Sequence, residues 1–115
     1  MDHIMLTEEL QRTLEAFMEY LRLERNASPL TLTTYRPAIV SYMECALELA
    51  SDEWQPSDAD RDLVRNWIMK QMDDELTSTT VNKNLSAVKS FYKYLQLRGL
   101  IDNNPTRYLR GPKRE

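Results

Sequence analysis

The 115-residue chain has one cysteine, one histidine and two glycines. Cys45 has no second thiol for an internal disulfide, and with the lone His3 it forms no zinc-ligand constellation. Neither a covalent staple nor a bound metal is expected, and no cofactor is implied; Cys45 is expected at the edge of a core in a reducing compartment. The scarcity of glycine and the lack of sustained apolar–polar alternation argue against a turn-rich β fold. No apolar run approaches the roughly 18 residues of a membrane span. The acidic start of the chain has neither the basic opening nor the apolar stretch of a signal peptide. A cytoplasmic chain with no membrane partner is the expectation.

One further absence is local. Between Thr77 and Ile101 there is no Asp or Glu, so a helix in that stretch cannot be solvated by mixed charges in the usual way. Residues 1–76 carry seven Lys/Arg against sixteen Asp/Glu, whereas residues 77–115 carry eight against two, which gives −9 and +6 within the net −3. An acidic balance thus conceals a basic C-terminal third, an asymmetry that points to a nucleic-acid or membrane partner. Hydroxyls and an amide interleaved with lysines suit phosphate and base edges. A bilayer would call for Trp, Phe or Leu anchors on the same face, and there are none.

What is present is helical periodicity. At this length one domain with its own core is expected, and the apolar stripes predict an all-α bundle of four helices. The first runs from a cap at Thr7, with Glu8 and Glu9 at the positive end of the helix dipole, to about Arg25, and buries Leu10, Leu14, Phe17 and Leu21. The opening six residues are expected to fray. Ser28 followed by Pro29 caps the second helix, whose stripe is Leu32, Tyr35, Ile39, Tyr42, Ala46 and Leu49. Pro37 predicts a kink or a loosened turn. Thr31, Thr33, Thr34 and Arg36 lie off the stripe, in polar, acid-free first turns. Ser57 with Asp60 resembles a capping box for the third helix, with Leu63, Val64, Trp67, Ile68 and Met72 inward. Trp67 could be proposed to stack on a base, but within an apolar helical stripe it belongs to the core.

The fourth helix, capped by Ser78 or Thr79 and closed by Gly99 in a left-handed conformation, carries two faces. Val81, Leu85, Val88, Tyr92 and Leu95, with Phe91 at the edge, form the buried one. Asn82, Ser86, Lys89 and Lys93 form a second, with Thr79, Lys83 and Ser90 beyond it. The tail, IDNNPTRYLRGPKRE, carries Arg107, Arg110, Lys113 and Arg114 beside two prolines, and reads as an extended arm or linker rather than packed structure.

These motifs resemble, in order and spacing, the N-terminal core-binding (SAM-like) domain of tyrosine recombinases, the Xer and phage-integrase group. The resemblance is carried by FMEYLRLERNAS, by SPLTLTTYR with Ser28, Thr31, Leu32, Tyr35 and Arg36, by TTVNKNLSAVKSFYKYL, and by GLIDNNP and GPK. Pro29 and Pro37 depart from the pattern. The resemblance implies a compact four-helix domain over residues 1–104 and a linker over 105–115 leading to a catalytic domain. The second and fourth helices would lie along the major groove of a core half-site. Double-stranded DNA, the catalytic domain and other recombinase protomers would be the partners. A recombinase tyrosine would act with arginines, a lysine and a His-x-x-Arg element; His3 is followed by Leu6 instead, so no catalytic residue is expected in this chain.

Two classes of function stand after this reading. In the first, Lys83, Lys89, Lys93 and Arg36 contact phosphates while Thr31, Thr34, Asn82 and Ser86 reach base edges, because these side chains both donate and accept. Thr79, Ser90, Arg107, Arg110 and Lys113 extend that surface. In the second, the acidic first and third helices make a protein-interaction module. A helix-turn-helix regulator is disfavoured, since no short helix, tight turn and recognition helix are visible.

Overall fold

The computed structural model describes residues 5–113. His3, Arg114 and the fraying expected of the first four residues lie outside the described residues. Helix α1, Glu8–Leu23, begins where Thr7 Oγ1 accepts the Leu10 N–H at 3.1 Å, and it buries Leu10, Leu14, Phe17, Met18 and Leu21. It ends at Leu23, two residues before the position expected, and Asn26 in the turn beyond takes a positive φ of 52°. Ser28 then caps α2, Pro29–Leu49, with Pro29 in the first turn, where a missing N–H costs no hydrogen bond. Pro37 removes the donor that would reach the Thr33 carbonyl, yet α2 continues across it without a break.

The start of α3, Arg61–Asp73, differs from the expectation. Asp60, not Ser57, is its cap, accepting the Leu63 N–H at 2.9 Å. Pro56–Asp58 form a separate 3₁₀ turn, closed by the Gln55 N–H on Asp58 at 2.8 Å, so Ser57 is used up inside that turn. Likewise α4, Ser78–Leu97, is capped by Thr77, whose Oγ1 accepts from Thr80 N at 3.2 Å, instead of by Ser78 or Thr79.

Two helices close by the same device. After α4 the Gly99 and Leu100 N–H groups return to Gln96 and Leu95 carbonyls, with Gly99 at φ 73°. After α3 the Glu75 and Leu76 N–H groups return to Met72 and Gln71, but the left-handed residue is Glu75, at φ 66°. A side chain with a Cβ is strained there. Glu75→Gly should therefore raise stability by about 1 kcal/mol, and Gly99→Ala should lower it by a similar amount, both read from denaturant melts.

Helix α2 packs against α1, α3 and α4, and α3 packs against α4. Around it lies an aromatic core: Phe17 meets Phe91 edge-on at 5.4 Å, and Tyr42 meets Trp67 and Tyr92 at 5.3 and 5.9 Å. The predicted stripe of α4 is buried throughout, and Trp67 is a core residue whose Nε1 donates to Ser41 Oγ at 3.1 Å. Three details depart from the expected stripes. Met72 and Leu49 are exposed at helix ends, and the inner position at the end of α3 is held by Gln71. Its amide oxygen accepts from Asn84 Nδ2 at 2.7 Å and so ties α3 to α4. Trp54, in the loop, is only 2% exposed and stands edge-on to Tyr42 at 5.7 Å.

A short chain of buried hydroxyls crosses this core. Tyr92 OH donates to the Pro56 carbonyl at 3.1 Å, which leaves Tyr42 as the donor in the 2.7 Å contact between the two phenols. Burial, above all other causes, pushes the pKa of both above the ordinary tyrosine value. Tyr92→Phe would leave the buried Tyr42 hydroxyl without its acceptor and the Pro56 carbonyl with the Ala59 N–H alone, whereas Tyr42→Phe removes only the terminal donor. The first should cost about 1–3 kcal/mol in a urea melt and the second about 1 kcal/mol.

Candidate nucleic-acid interface

The acid-free stretch emerges as the outer side of α4. Thr79, Lys83, Ser86 and Lys93 are exposed on it, and Asn82, Lys89 and Ser90 are half-buried. The half-burial has a specific cause. After Gly99 the chain turns, held by Gln96 Nε2 on the Asp102 carbonyl at 3.1 Å and by Asn104 Oδ1, which accepts from Thr106 N and Oγ1 at 2.8 and 2.7 Å. Thr106 and Leu109 are then buried. Lys89 Nζ donates to the Leu109 carbonyl, and Asn82 Nδ2 donates to both the Ser78 and Pro112 carbonyls at 2.8 Å. Residues 106–112 thus run back along α4, from the level of Lys93 towards that of Asn82, antiparallel to the helix.

This corrects the expectation of an extended, unpacked arm. The tail has no helix, but two buried side chains and two side chains of α4 hold it against the domain. At Gly111 the approach is so close that a methyl group there would lie 1.9 Å from Asn82 Oδ1 and 2.9 Å from its Cγ. Only glycine fits that contact as it stands.

The fold brings Lys89, Lys93 and Arg107 together along one groove, with Gln96, Asn104 and Thr106. Arg110 and Lys113 follow, exposed on the same tail. The guanidinium of Arg107 lies over the exposed Tyr108 ring at 5.4 Å. Gln96 and Asn104 escaped the sequence reading, although Gln96 continues the Lys89–Lys93 spacing by one further turn.

Arg36 is placed differently. It lines a groove between α1 and α2 and grips Glu15 with both guanidinium nitrogens, the Nη2–Oε1 contact at 2.8 Å. That hydrogen bonding holds the Glu15 carboxyl below its ordinary pKa and raises that of Arg36. Thr31 bonds with Ser28 in the cap of α2, and Thr34 Oγ1 donates to the Leu30 carbonyl at 2.8 Å. Arg98 is likewise engaged elsewhere, with Glu24 at 2.6 Å and over the Tyr20 and Tyr94 rings. Every ion pair formed among the described residues involves an acid of α1 or α3 or the Glu24 cap of α1, and none neutralises Lys83, Lys89, Lys93, Arg107, Arg110 or Lys113. Among those residues no His, Cys, Asp and Glu side chains group to hold a metal ion, and no helix is long and apolar enough to cross a membrane.

Among the described residues, three helices around a central α2, with a basic face made by α4 and the segment after it that no carboxylate compensates, define a small all-α domain. Residues 14–99 match the family model described as phage integrase, N-terminal SAM-like domain, and the chain belongs to that family, the N-terminal domain of tyrosine recombinases. It is similar to the tyrosine recombinase XerC of Yersinia pestis, 33% identical over 99 residues that cover 86% of this chain and 32% of that protein. The XerC proteins of Serratia marcescens and Pelotomaculum thermopropionicum are 33% and 32% identical, covering 90% and 89% of this chain and 34% of each relative. The chain spans about a third of the length of the curated relatives it matches. No solved structure matches it.

Proposed function

We propose that this chain is the DNA-binding, core-binding domain of a site-specific tyrosine recombinase, and that it holds a duplex half-site in the major groove during recombination and integration. The observation that carries this reading is the basic face of α4 and its tail, on which no cation has a carboxylate partner among the described residues. Lys83, Lys93, Arg107, Arg110 and Lys113 would meet phosphates, with Lys89 adding its charge from beneath the tail and Thr79 and Ser90 donating at the margin. Ser86, and the Thr31 and Thr34 hydroxyls in the first turns of α2, would reach base edges. Arg36 would join the phosphate contacts only by leaving Glu15. Strand cleavage would belong to a catalytic domain of the same polypeptide, joined through residues 105–115, with further protomers completing the synaptic complex.

The test is a titration with short duplex DNA across a range of salt. If four or five cations reach phosphates, log K against log salt should slope near about −4. A slope near zero, or no shift at tens of micromolar protein, would remove the basic face as a contact surface and leave the acidic helices as a protein-interaction module.

A further inference from the structure

We infer that Asn82, Lys89 and Gly111 form a clasp that pre-orders the basic tail, so that α4 and residues 107–113 present one phosphate-binding surface, with Asn82 acting as a positioning residue instead of a base reader. This rests on the DNA-binding reading and deepens it. The Asn82 amide nitrogen already serves two carbonyls, one in α4 and one in the tail, and its oxygen faces the bare Cα of Gly111. A side chain fixed on both sides cannot turn outward to a base without releasing the tail.

The clasp adds positive charge to the face without cancelling any. Lys89 donates to a backbone carbonyl, a neutral acceptor, so its charge survives, unlike those of Arg36 and Arg98, which face carboxylates. Lys83, Ser86 and Lys93 stay exposed, and the docked tail contributes Arg107, Arg110 and Lys113 beside them. A loose tail would have to be ordered at the moment of binding, with the loss of affinity that immobilising several long side chains entails. Docked beforehand, its cations meet the duplex in register with those of α4.

The test compares the wild-type chain with Gly111→Ala and Asn82→Ala, using thermal melts, backbone amide heteronuclear NOEs and titration with a mixed-sequence duplex. Both variants should stay folded and melt cooperatively, somewhat below wild type, because the four helices are unchanged while release of the tail exposes Leu109. Their amides from 108 to 113 should fall to NOE values typical of flexible chain. Duplex affinity should weaken about three- to tenfold, and the salt slope should shrink by about one or two. If the tail loosens while affinity holds or rises, the docked tail covers the surface instead of building it, and the inference fails. A tail that stays rigid in both variants overturns the clasp itself. Failure of the broader reading has a separate signature, because the wild type would then not bind the duplex at all.

Discussion

Reversing two charges, Lys83→Glu with Lys93→Glu, should weaken duplex binding by about 100-fold, roughly tenfold per position, while the melting curve stays within about 0.5 kcal/mol of wild type. Both side chains are exposed, and neither has a polar partner among the described residues, so nothing in the fold depends on their sign. Their separation of ten residues is about 15 Å along the helix, beyond the screening length of about 10 Å at 0.1 M salt. The two effects should therefore add, and each single variant should give about half of the free-energy change. Lys89 is the less useful target, because its ammonium holds the Leu109 carbonyl and its replacement would release the tail as well as remove a charge. Titration of both single variants and the pair, beside urea melts, provides the measurement. Unchanged affinity in a folded double variant would mean that this side of α4 is only a solvated surface.

The largest effect on stability is expected in the core, where α3 meets α2. Trp67→Ala removes an indole that is 1% exposed, stands edge-on to Tyr42 and donates to Ser41. The cavity and lost contacts should cost about 3–5 kcal/mol. Against a total of about 5–15 kcal/mol for a domain, that is enough to lower the melting temperature by roughly 10–20 °C. DNA binding would fall in step with the unfolded fraction and recover on cooling, which separates it from the charge reversal. Trp67→Phe keeps part of the volume and should recover a substantial part of the loss. A melt unchanged by Trp67→Ala would contradict the packing of α2 on α3.

Periodicity made the four helices legible because each buries one stripe against a neighbour. Leu10, Leu14, Phe17 and Leu21 in α1 and the whole inner face of α4 lie where the spacing puts them. Helix starts were harder to read for a chemical reason. Thr77, Ser78, Thr79 and Thr80 are four hydroxyl residues in a row, any of which can cap, and the turn closing α3 selects the first. At the start of α3, Pro56 opens a turn of its own and shifts the cap from Ser57 to Asp60. The docked tail left almost no signal, since Thr106 and Leu109 form no periodic pattern and Gly111 acts through the lack of a side chain. For the same reason Asn82 read as a free amide on a polar stripe. The pairing of Arg36 with Glu15 joins residues far apart in sequence, and composition alone does not reveal it.

The position of the two tryptophans has an experimental consequence. Trp54 and Trp67 are both buried, both stand against Tyr42, and neither lies on the basic face. Intrinsic fluorescence should therefore be strongly sensitive to unfolding yet nearly silent when a ligand settles on α4, while a dye attached at an added surface thiol near Lys83 would respond in the reverse manner. Two emission channels in one cuvette would then separate loss of structure from loss of contact, and the native thiol would interfere little, because Cys45 is buried and burial raises its pKa.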